Sequence, residues 1–539
     1  ARRDHEQCAL ASPEYQEHDR VEEVHGRYLT RMSNAPIRVK KKDSVHIQIE
    51  CPDRSTLAEL SERFEFYASG YNFMPAFKAR KWDGKIRLFN TRNNTLYAGL
   101  FPHVCAFAQE NGYDIEIDDS NGVPIATDTV DTDYLDALPM SSRGDPISPR
   151  EYQREAVEYA LRHRRALLLS PTASGKSLII YMIVRYVLYH VQKPVLIVVP
   201  TTSLVRQMIS DFEDYASEDS DFNPSVDCHG IYQGQERDDV SGIPVVVSTW
   251  QSIYQMPKKW FSQFGCVVGD EAHNFKAKSL TAIMGKMVNT EYRIGTTGTL
   301  DGSETNQLVL EGIFGPLKYV TTTRDLMDSG ALAQLKVHMH ILDYPSQIRR
   351  QIKGASYHEE IDFLVGDMSR NQWIVDLAAS LDGNTLVLFQ YVDKHGKPLF
   401  KQIREAIDPN RKAFYVSGET DTDTREEIRQ ITEREGSAII VASLGTFSTG
   451  INIRNIHNIV FASPSKSQIR ILQSIGRGLR VSDDGRPTQV YDIADDLHIG
   501  EGYRNYTLNH ASERIKIYAR ERFEYTINQV KLGDTDSNE

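Results

Sequence analysis

The sequence is poor in cysteine, with five residues in a chain of 539. They are scattered, odd in number and without CxxC spacing, at Cys8, Cys51, Cys105, Cys228 and Cys266. This pattern argues against a disulfide framework and against a cysteine-based structural zinc site. We therefore expect the protein to work in a reducing cytoplasm.

Long hydrophobic runs are also missing. Apolar segments such as residues 194–200 are far shorter than the roughly 20 residues that cross a bilayer, so no membrane role is expected. Residues 1–26 are charged throughout and contain no apolar segment of a secretory signal. We interpret residues 1–34 as a tail, native or left over from expression, because Met32 offers a natural start.

The chain has no overall excess of positive charge, since its net charge is −12. Residues 35–94 differ from this average, with 12 Lys and Arg against 7 Asp and Glu, a local balance of 12 − 7 = +5. Because local charge steers binding, nucleic acid remains an expected partner. Six basic residues around one aspartate stand here with Phe77 and Trp82 between them: Lys78, Arg80, Lys81, Lys85, Arg87 and Arg92.

A chain of this length exceeds a single hydrophobic core and predicts three or four domains. Residues 35–140 predict a small basic α+β domain, with a strand at 45–51, a helix at 55–66 and a strand at 85–89. A polar linker around Gly144 follows.

Beyond the linker, two series of short apolar strands alternate with helical stretches, which predicts two successive α/β domains with parallel sheets. Their predicted bounds are 146–330 and 331–498. Residues 499–539 are predicted to form one or two amphipathic helices and a polar tail.

A phosphate-binding loop is indicated between a predicted strand and a strongly helical run. The loop reads Ser170-Pro171-Thr172-Ala173-Ser174-Gly175-Lys176-Ser177. Its backbone N–H groups would hold the phosphates of ATP, Lys176 would reach the β and γ phosphates, and Ser177 would bind Mg²⁺. Ser170 departs from the general pattern, which has glycine there; the bland alternative is a simple glycine turn.

An acidic pair follows a second apolar strand. Asp270 is suited to hold Mg²⁺, and Glu271 to activate the attacking water. Further along, Gln473, Arg477 and Arg480 lie in a predicted helix, where the two arginines share one face and can point at a phosphate. A solvated basic helix face is the alternative for this last element.

These elements in this order resemble the superfamily 2 helicase signature across about 145–495. The resemblance implies two tandem recA-like motor domains that use ATP and Mg²⁺. It implies adenine recognition by Arg150 and Gln153, and coupling of hydrolysis to movement by Thr297, Gly298 and Thr299. Expected nucleic-acid contacts are Pro200, Thr201, Thr202, Ser248, Thr249, Trp250, Ser448 and Thr449.

The N-terminal region is similar to the bacteriophage UvsW-type helicases, on the segment from Tyr71 to Lys78 and on that from Arg80 to Leu88. That family has a small N-terminal domain before the motor and remodels branched DNA. The resemblance implies a monomeric enzyme acting in the host cytoplasm on forks, Holliday junctions and R-loops, where RNA is also a partner. From the residues themselves, the basic set Lys78, Arg80, Lys81, Lys85 and Arg87 is expected to contact the DNA backbone. Phe73, Phe77 and Trp82 are interpreted as core residues. The alternative is that the aromatic residues between the basic ones stack on bases.

Three alternatives stay open at this point. One is the motor of a restriction or nuclease system, which the lack of a nuclease motif in the flanks disfavours. Another is an RNA helicase, because a motor that grips the backbone can act on either nucleic acid. The third is a DNA-binding clamp in which the nucleotide serves only as a switch.

Overall fold

The computed structural model describes residues 36–68, 70–232, 239–300, 304–446, 453, 455–463, 475–476, 485–500 and 504–533. The chain separates into two compact units at Val320 and Thr321, the loop 170–176 aside. The first unit contains a small α+β domain and a first α/β domain. The second unit contains another α/β domain.

The small domain is built on a four-stranded sheet of order β5-β2-β1-β6. Alternation along β1 and β2 buries Ile37, Val39, Ile47 and Ile49 on one face. The strands are β1 (Ile37–Lys41), β2 (His46–Glu50), β3 (Glu65–Tyr67), β4 (Lys85–Arg87), β5 (Thr95–Tyr97) and β6 (Ile115–Asp118). The helices are α1 (Arg54–Arg63), α2 (Pro75–Lys78) and α3 (Phe101–Asn111).

Strands β3 and β4 pair only with each other and form the base of an exposed segment, residues 65–87, which we call the arm. None of residues 70–82 is buried. Phe73 is 74% exposed, and Phe77 and Trp82 are half-buried. The expectation that these aromatic residues form the core is therefore wrong, because the core of this domain is already filled by residues of its sheet and of α1 and α3.

The first α/β domain has a seven-stranded sheet of order β11-β12-β10-β13-β14-β9-β15, in which every pair is parallel. Strand β10 is a continuous buried apolar run, as expected where helices cover both faces of a parallel sheet. The strands are β9 (Arg165–Leu169), β10 (Val195–Val199), β11 (Cys228–Ile231), β12 (Val245–Thr249), β13 (Cys266–Asp270), β14 (Tyr292–Thr297) and β15 (Leu317–Tyr319). A short antiparallel hairpin of two-residue strands precedes them, β7 (Ser141–Ser142) and β8 (Asp145–Pro146). The helices are α4 (Thr132–Ala137), α5 (Glu151–His163), α6 (Lys176–Tyr186), α7 (Thr202–Tyr215), α8 (Pro224–Asp227), α9 (Trp250–Ile253), α10 (Lys258–Phe261), α11 (Lys278–Lys286) and α12 (Glu304–Ile313).

The small domain ends earlier than its predicted limit at residue 140. Leu135, Leu138 and Met140 are buried in the core of the first α/β domain, together with α5 and α6. The residues around α4 therefore belong to the first α/β domain. The last residue of the small domain's own sheet is Asp118.

The two parts of the first unit are packed together through backbone as well as side chains. The Ser44 amide donates to the Val288 carbonyl at 2.9 Å, and the buried Arg165 guanidinium donates to the Ser44 carbonyl. A Cβ built on Gly99 would overlap the carbonyl oxygen of Glu311 in α12. This approach requires glycine, and it fixes the small domain against the first α/β domain.

The second α/β domain repeats the architecture with a parallel sheet of order β18-β19-β17-β20-β21-β16-β22. Its strands are β16 (Leu335–Asp343), β17 (Thr385–Phe389), β18 (Ala413–Val416), β19 (Ile439–Ser443), β20 (Asn458–Phe461), β21 (Thr488–Asp496) and β22 (Glu524–Lys531). Its helices are α13 (Thr323–Asp328), α14 (Ser346–Ile352), α15 (Tyr357–Gly366), α16 (Met368–Ser380), α17 (Lys397–Ala406), α18 (Thr422–Arg434) and α19 (Tyr506–Arg520). The two tandem parallel-sheet domains behind a small α+β domain confirm the predicted fold class.

The C-terminal region departs from the prediction of helices alone. Helix α19 is present, but Glu524–Lys531 forms β22, an edge strand that pairs in parallel with β16. Tyr525, Thr526, Ile527 and Val530 are aromatic or β-branched residues that favour strands. Pairing with β16 overrides the weak helical spacing of this segment.

Candidate active site

The predicted phosphate loop connects the carboxyl end of β9 to α6, as the sequence pattern requires. Ala173 and Gly175 have positive φ values of 66° and 81°, so the backbone curls between strand and helix. Such a turn directs successive backbone N–H groups inward and forms an anion-binding loop at a helix N-terminus.

Ser170 stands at the loop position where the general pattern has glycine. Its φ is not positive, so this position does not require glycine. The fully buried Ser170 hydroxyl lies 2.6 Å from the Ser174 hydroxyl, which donates to the Pro171 carbonyl at 2.6 Å. The contact between the two serine hydroxyls therefore stabilises the loop from within, and the loop keeps the conformation of an anion-binding turn.

The two side chains predicted to meet phosphate and Mg²⁺ both lie at the start of α6. The Lys176 ammonium donates to the carbonyls of Ser170 and Pro171 at 3.2 and 3.4 Å. The Ser177 hydroxyl lies 2.8 Å from the hydroxyl of Tyr215 at the end of α7. The sequence pattern did not indicate Tyr215, because only the packing of α6 beside α7 places it here.

Asp270 and Glu271 occupy the carboxyl end of β13, at the same edge of the sheet as the end of β9, with β14 between them. The largely buried Asp270 accepts a hydrogen bond from the Thr296 hydroxyl of β14 at 2.8 Å. Glu271 has φ 50° and ψ 51°, a left-handed conformation that is strained for a residue with a side chain. The Asp270 carboxylate is thus held by a residue of the neighbouring strand.

His273 links the acidic pair to the end of β14. Its Nδ1 lies 3.4 Å from Glu271 Oε2 and 3.0 Å from the Thr297 hydroxyl. Thr297 is fully buried, and its hydroxyl also donates to the Thr299 carbonyl at 2.9 Å. The predicted coupling residues thus join the predicted water-activating carboxylate through one histidine, a role that the sequence had not assigned to His273.

The predicted adenine-recognising residues lie at the start of α5. The Gln153 side chain is buried, and its Oε1 accepts from the Arg150 amide at 2.8 Å. The Arg150 guanidinium donates to the Tyr152 hydroxyl at 3.0 Å. Gln153 therefore helps to begin the helix, and base recognition by this pair stays a prediction.

The predicted nucleic-acid contacts of the first α/β domain follow strands β10 and β12. Thr201 caps α7, where its hydroxyl accepts from the Leu204 amide, and Thr202 is half-buried. Ser248 is fully buried, and its hydroxyl donates to the carbonyls of Ile231 and Thr249 at 3.2 and 3.0 Å. Burial therefore removes the Ser248 hydroxyl from the set of expected phosphate contacts.

Thr249 and Trp250 follow directly on that strand. Thr249 is 5% exposed, and its hydroxyl lies 2.9 Å from the Ser252 hydroxyl at the start of α9. Trp250 is half-buried, and its ring lies edge-on to Tyr254. Of these two side chains, Trp250 presents the larger accessible surface at this strand end.

Five predicted site residues lie outside the described residues: Ser448, Thr449, Gln473, Arg477 and Arg480. Their predicted contacts to nucleic acid and to the γ phosphate are untested.

The structure divides the five basic residues of the arm into two groups. Lys85 and Arg87 form ion pairs with Glu65 and Asp83 across the base of the arm. Hydrogen bonding to Lys85 lowers the pKa of Glu65, and hydrogen bonding to Arg87 lowers the pKa of Asp83 to about 2. The positive charge of these two residues is therefore locally compensated.

Lys78, Arg80 and Lys81 are exposed and form no ion pair with any described residue. The uncompensated positive charge of the arm is thus concentrated in these three residues. They lie beside the exposed aromatic residues that the arm carries.

The donor chemistry of the strand edge fits Mg²⁺. Ser177 and Asp270 offer oxygen atoms, and Mg²⁺ binds through one or two protein oxygens together with phosphate oxygens and water. In the described ranges, no group of three or more His, Cys, Asp and Glu side chains could hold a metal ion by itself. Nor does this part of the chain contain a helix long and apolar enough to cross a membrane.

Comparison with protein families gives three consecutive matches. Residues 36–118 match the N-terminal domain of the DNA helicase UvsW, 146–302 match the res subunit of type III restriction enzymes, and 369–482 match the conserved C-terminal domain of helicases. Among curated proteins, the chain is 38% identical over 511 residues to the ATP-dependent DNA helicase uvsW of Enterobacteria phage T4, which covers 92% of this chain and 100% of that protein. The chain belongs to the UvsW family of superfamily 2 helicases.

More distant relatives of this UvsW-family chain match smaller parts of it. The DNA 3'-5' translocase XPB2 of Sulfurisphaera tokodaii is 22% identical, over 66% of this chain and 83% of that protein. Among solved structures, T4 UvsW aligns over 92% of this chain and 100% of its own with 36% identity and a TM-score of 0.49. A fragment of an HsdR subunit from Vibrio vulnificus, at 18% identity and a TM-score of 0.53 over 75% of this chain and 72% of its own, shares the fold.

Proposed function

We propose that this UvsW-family protein is an ATP-dependent DNA helicase that unwinds and remodels branched DNA, including forks, Holliday junctions and R-loops. The observation that carries the proposal is the convergence of the Lys176 loop with Asp270 and Glu271 at one edge of the first α/β sheet. Full-length similarity to a DNA helicase supports DNA as the substrate. We further propose that the protein acts as a monomer in the host cytoplasm.

In this proposal, ATP binds with its phosphates on the loop 170–177. Lys176 exchanges its contacts with the loop carbonyls for the β and γ phosphates, and the Ser177 hydroxyl leaves Tyr215. Ser177 and Asp270 would hold Mg²⁺, which when bound would supply positive charge beside the phosphates. Glu271 takes the proton of the attacking water, and Arg477 and Arg480 stabilise the transferred phosphoryl group.

His273 provides the route from hydrolysis to movement. Its ring contacts both Glu271 and Thr297, so a change of charge at the carboxylate alters a hydrogen bond at the end of β14. Thr297 passes this change to the Thr299 backbone, and Gly298 between them permits the backbone to adjust. The motor step is thus proposed to begin as a local hydrogen-bond exchange.

Proposed DNA contacts fall into two sets. Lys78, Arg80 and Lys81 bind phosphates through the arm, whereas Lys85 and Arg87 contribute less because Glu65 and Asp83 compensate them. On the first α/β domain, the strand ends at Pro200, Thr201, Thr202, Thr249 and Trp250 supply contacts that do not read sequence. Ser448 and Thr449 would extend the same track.

The test is the ATPase rate of the purified protein without nucleic acid and with single-stranded DNA, duplex, a four-way junction or RNA of matched length. Strong stimulation by the junction, lost in Glu271→Gln, is the expected result. Stimulation by RNA alone would make the protein an RNA helicase. Nucleotide binding with no hydrolysis on any nucleic acid would indicate a nucleotide-switched clamp or a restriction motor that lacks its partner subunits.

A further inference from the structure

The tip of the arm carries an apolar surface that no other element covers among the described residues. Phe73 is 74% exposed, more than any other described aromatic side chain, and its neighbour Met74 is 39% exposed. Both residues lie in a short turn between Gly70 and α2. An exposed pair of this size, held away from the core, indicates a surface that meets a partner.

The arm holds this tip in a defined position. The rings of Tyr67 and Tyr71 stack with centroids 4.5 Å apart, and Phe77 meets Tyr71 edge-on at 4.8 Å. A Cβ on Gly84 would overlap the Tyr71 ring, so β4 closes directly against this aromatic stack. The arm therefore presents Phe73 from a packed support, which limits the entropy lost on binding.

The amides of the tip are hydrogen-bonded as well. Phe73 donates to the Gly70 carbonyl at 3.0 Å, and Met74 donates to the Tyr71 carbonyl at 3.1 Å. These bonds fix the backbone of the turn, and they leave the Phe73 side chain directed outward. Its exposure therefore belongs to an ordered turn.

Charge identifies the chemistry of the partner. No carboxylate occurs between Phe66 and Trp82, whereas Lys78, Arg80 and Lys81 follow the tip directly. These three residues form no ion pair in the described parts of the chain. An apolar ring beside uncompensated positive charge matches a base with its phosphates, and a polyanion is favoured over an apolar protein surface.

A groove of about 580 Å³ lies next to the tip. Its lining comprises Asn72, the aromatic residues Phe77 and Trp82, the basic residues Lys78, Arg80 and Lys81, and the carboxylate of Asp83, which is ion-paired with Arg87. Trp82 is held by a hydrogen bond from its Nε1 to the Lys85 carbonyl at 2.9 Å. The groove has the size to accept an unpaired nucleotide, and its three basic residues outnumber its one carboxylate, which Arg87 compensates.

We propose that Phe73 is a wedge that stacks on the terminal base pair at a DNA branch point, while a displaced nucleotide enters the groove beside it. Lys78, Arg80 and Lys81 hold the phosphates on either side. This inference rests on the proposed function and adds to it the part of the molecule that recognises the branch. Phe73 contacts the DNA and takes no part in ATP hydrolysis.

The test compares wild type with Phe73→Ala and Phe73→Trp, and with Met368→Ala as a control that removes another exposed apolar side chain, 81% exposed, from the second α/β domain. Two substrates are used: single-stranded DNA for ATPase stimulation, and a three-way junction with 2-aminopurine at the branch point for binding and unwinding. Loss of one aromatic stack is expected to slow junction unwinding by roughly 10-fold.

The expected pattern is specific to the branch. Phe73→Ala loses the 2-aminopurine signal at the junction, whereas its ATPase stimulation by single-stranded DNA stays within about twofold of wild type. Phe73→Trp restores both binding and unwinding of the junction. Met368→Ala behaves as wild type. The wedge would be overturned if Phe73→Ala unwound the junction at the wild-type rate. It would also be overturned if Phe73→Ala differed from wild type only in its self-association. A wild-type protein that no DNA stimulates would instead overturn the proposed function itself.

Discussion

Replacement of Thr297 by Val tests whether the contact between His273 and the end of β14 transmits the energy of hydrolysis. Thr297 is fully buried, and valine preserves its branched shape while removing the hydroxyl. The variant loses the contact to His273 Nδ1 at 3.0 Å and the bond to the Thr299 carbonyl at 2.9 Å. At about 1 kcal/mol net for each hydrogen bond, we expect a free energy of unfolding lower by about 2 kcal/mol.

The matched control is Thr290→Val, near the opposite end of the same strand. Thr290 is also fully buried, and its hydroxyl donates to the Phe264 carbonyl at 2.9 Å. This variant loses one hydrogen bond and about 1 kcal/mol of stability, with no connection to Glu271. Comparison of the two variants separates coupling from stability.

The assay measures ATP hydrolysed and base pairs unwound in the same reaction. We expect Thr297→Val to hydrolyse ATP within about threefold of the wild-type rate and to unwind a junction at least ~10-fold more slowly, because the histidine no longer reaches β14. Thr290→Val should retain the wild-type ratio of ATP consumed to base pairs unwound. Equal ratios in the two variants would refute the proposed route through His273.

Three further outcomes follow from the structure. Glu271→Gln should bind ATP as wild type does while its turnover falls by about 10² to 10⁴, as measured by nucleotide binding and ATPase rate; undiminished turnover would show that another group is the base. Gly99→Ala should lower the melting temperature and expose the boundary after residue 118 to protease, because its Cβ overlaps the Glu311 carbonyl, whereas Gly285→Ala, with open space around it, should do neither. Burial lowers the pKa of His395 to about 3 from 6.5, so the free energy of unfolding should fall by up to about 1.4 kcal/mol per pH unit as the pH drops below 6.5. His395→Gln should lose this dependence. If its free energy of unfolding varied with pH as steeply as that of wild type between pH 5 and 6.5, the assignment to His395 would be wrong.

The sequence predicts the α/β sheets well because their strands are short, apolar and buried on both faces. The expected short apolar strands are present in both α/β domains, for example as β10 (Val195–Val199) and β18 (Ala413–Val416). The loop at Lys176 and the acidic pair at Asp270 also follow, since each stands at the end of such a strand. A local sequence pattern is therefore sufficient to predict a functional residue that lies at the end of a single strand.

What the sequence does not predict depends on partners distant in the chain. Tyr215 reaches Ser177, and Thr296 reaches Asp270, only because the order of strands and helices brings them together. Burial of Ser248 and exposure of Phe73 likewise depend on which surfaces the rest of the fold covers. The basic residues of the arm look alike in the sequence, and only the pairing of β3 with β4 shows that two of them are compensated.

Because β22 is synthesised long after β16, one edge of β16 stays unpaired during part of translation. His338 and Thr526, which hydrogen-bond across these strands, are 188 residues apart, so one edge of β16 lacks this neighbour until the later strand has been made. At a translation rate of about 5 to 20 residues per second, that interval lasts roughly 10 to 40 s. Throughout it the nascent domain presents a nine-residue strand with an open edge, the kind of surface on which chaperones act and neighbouring chains aggregate.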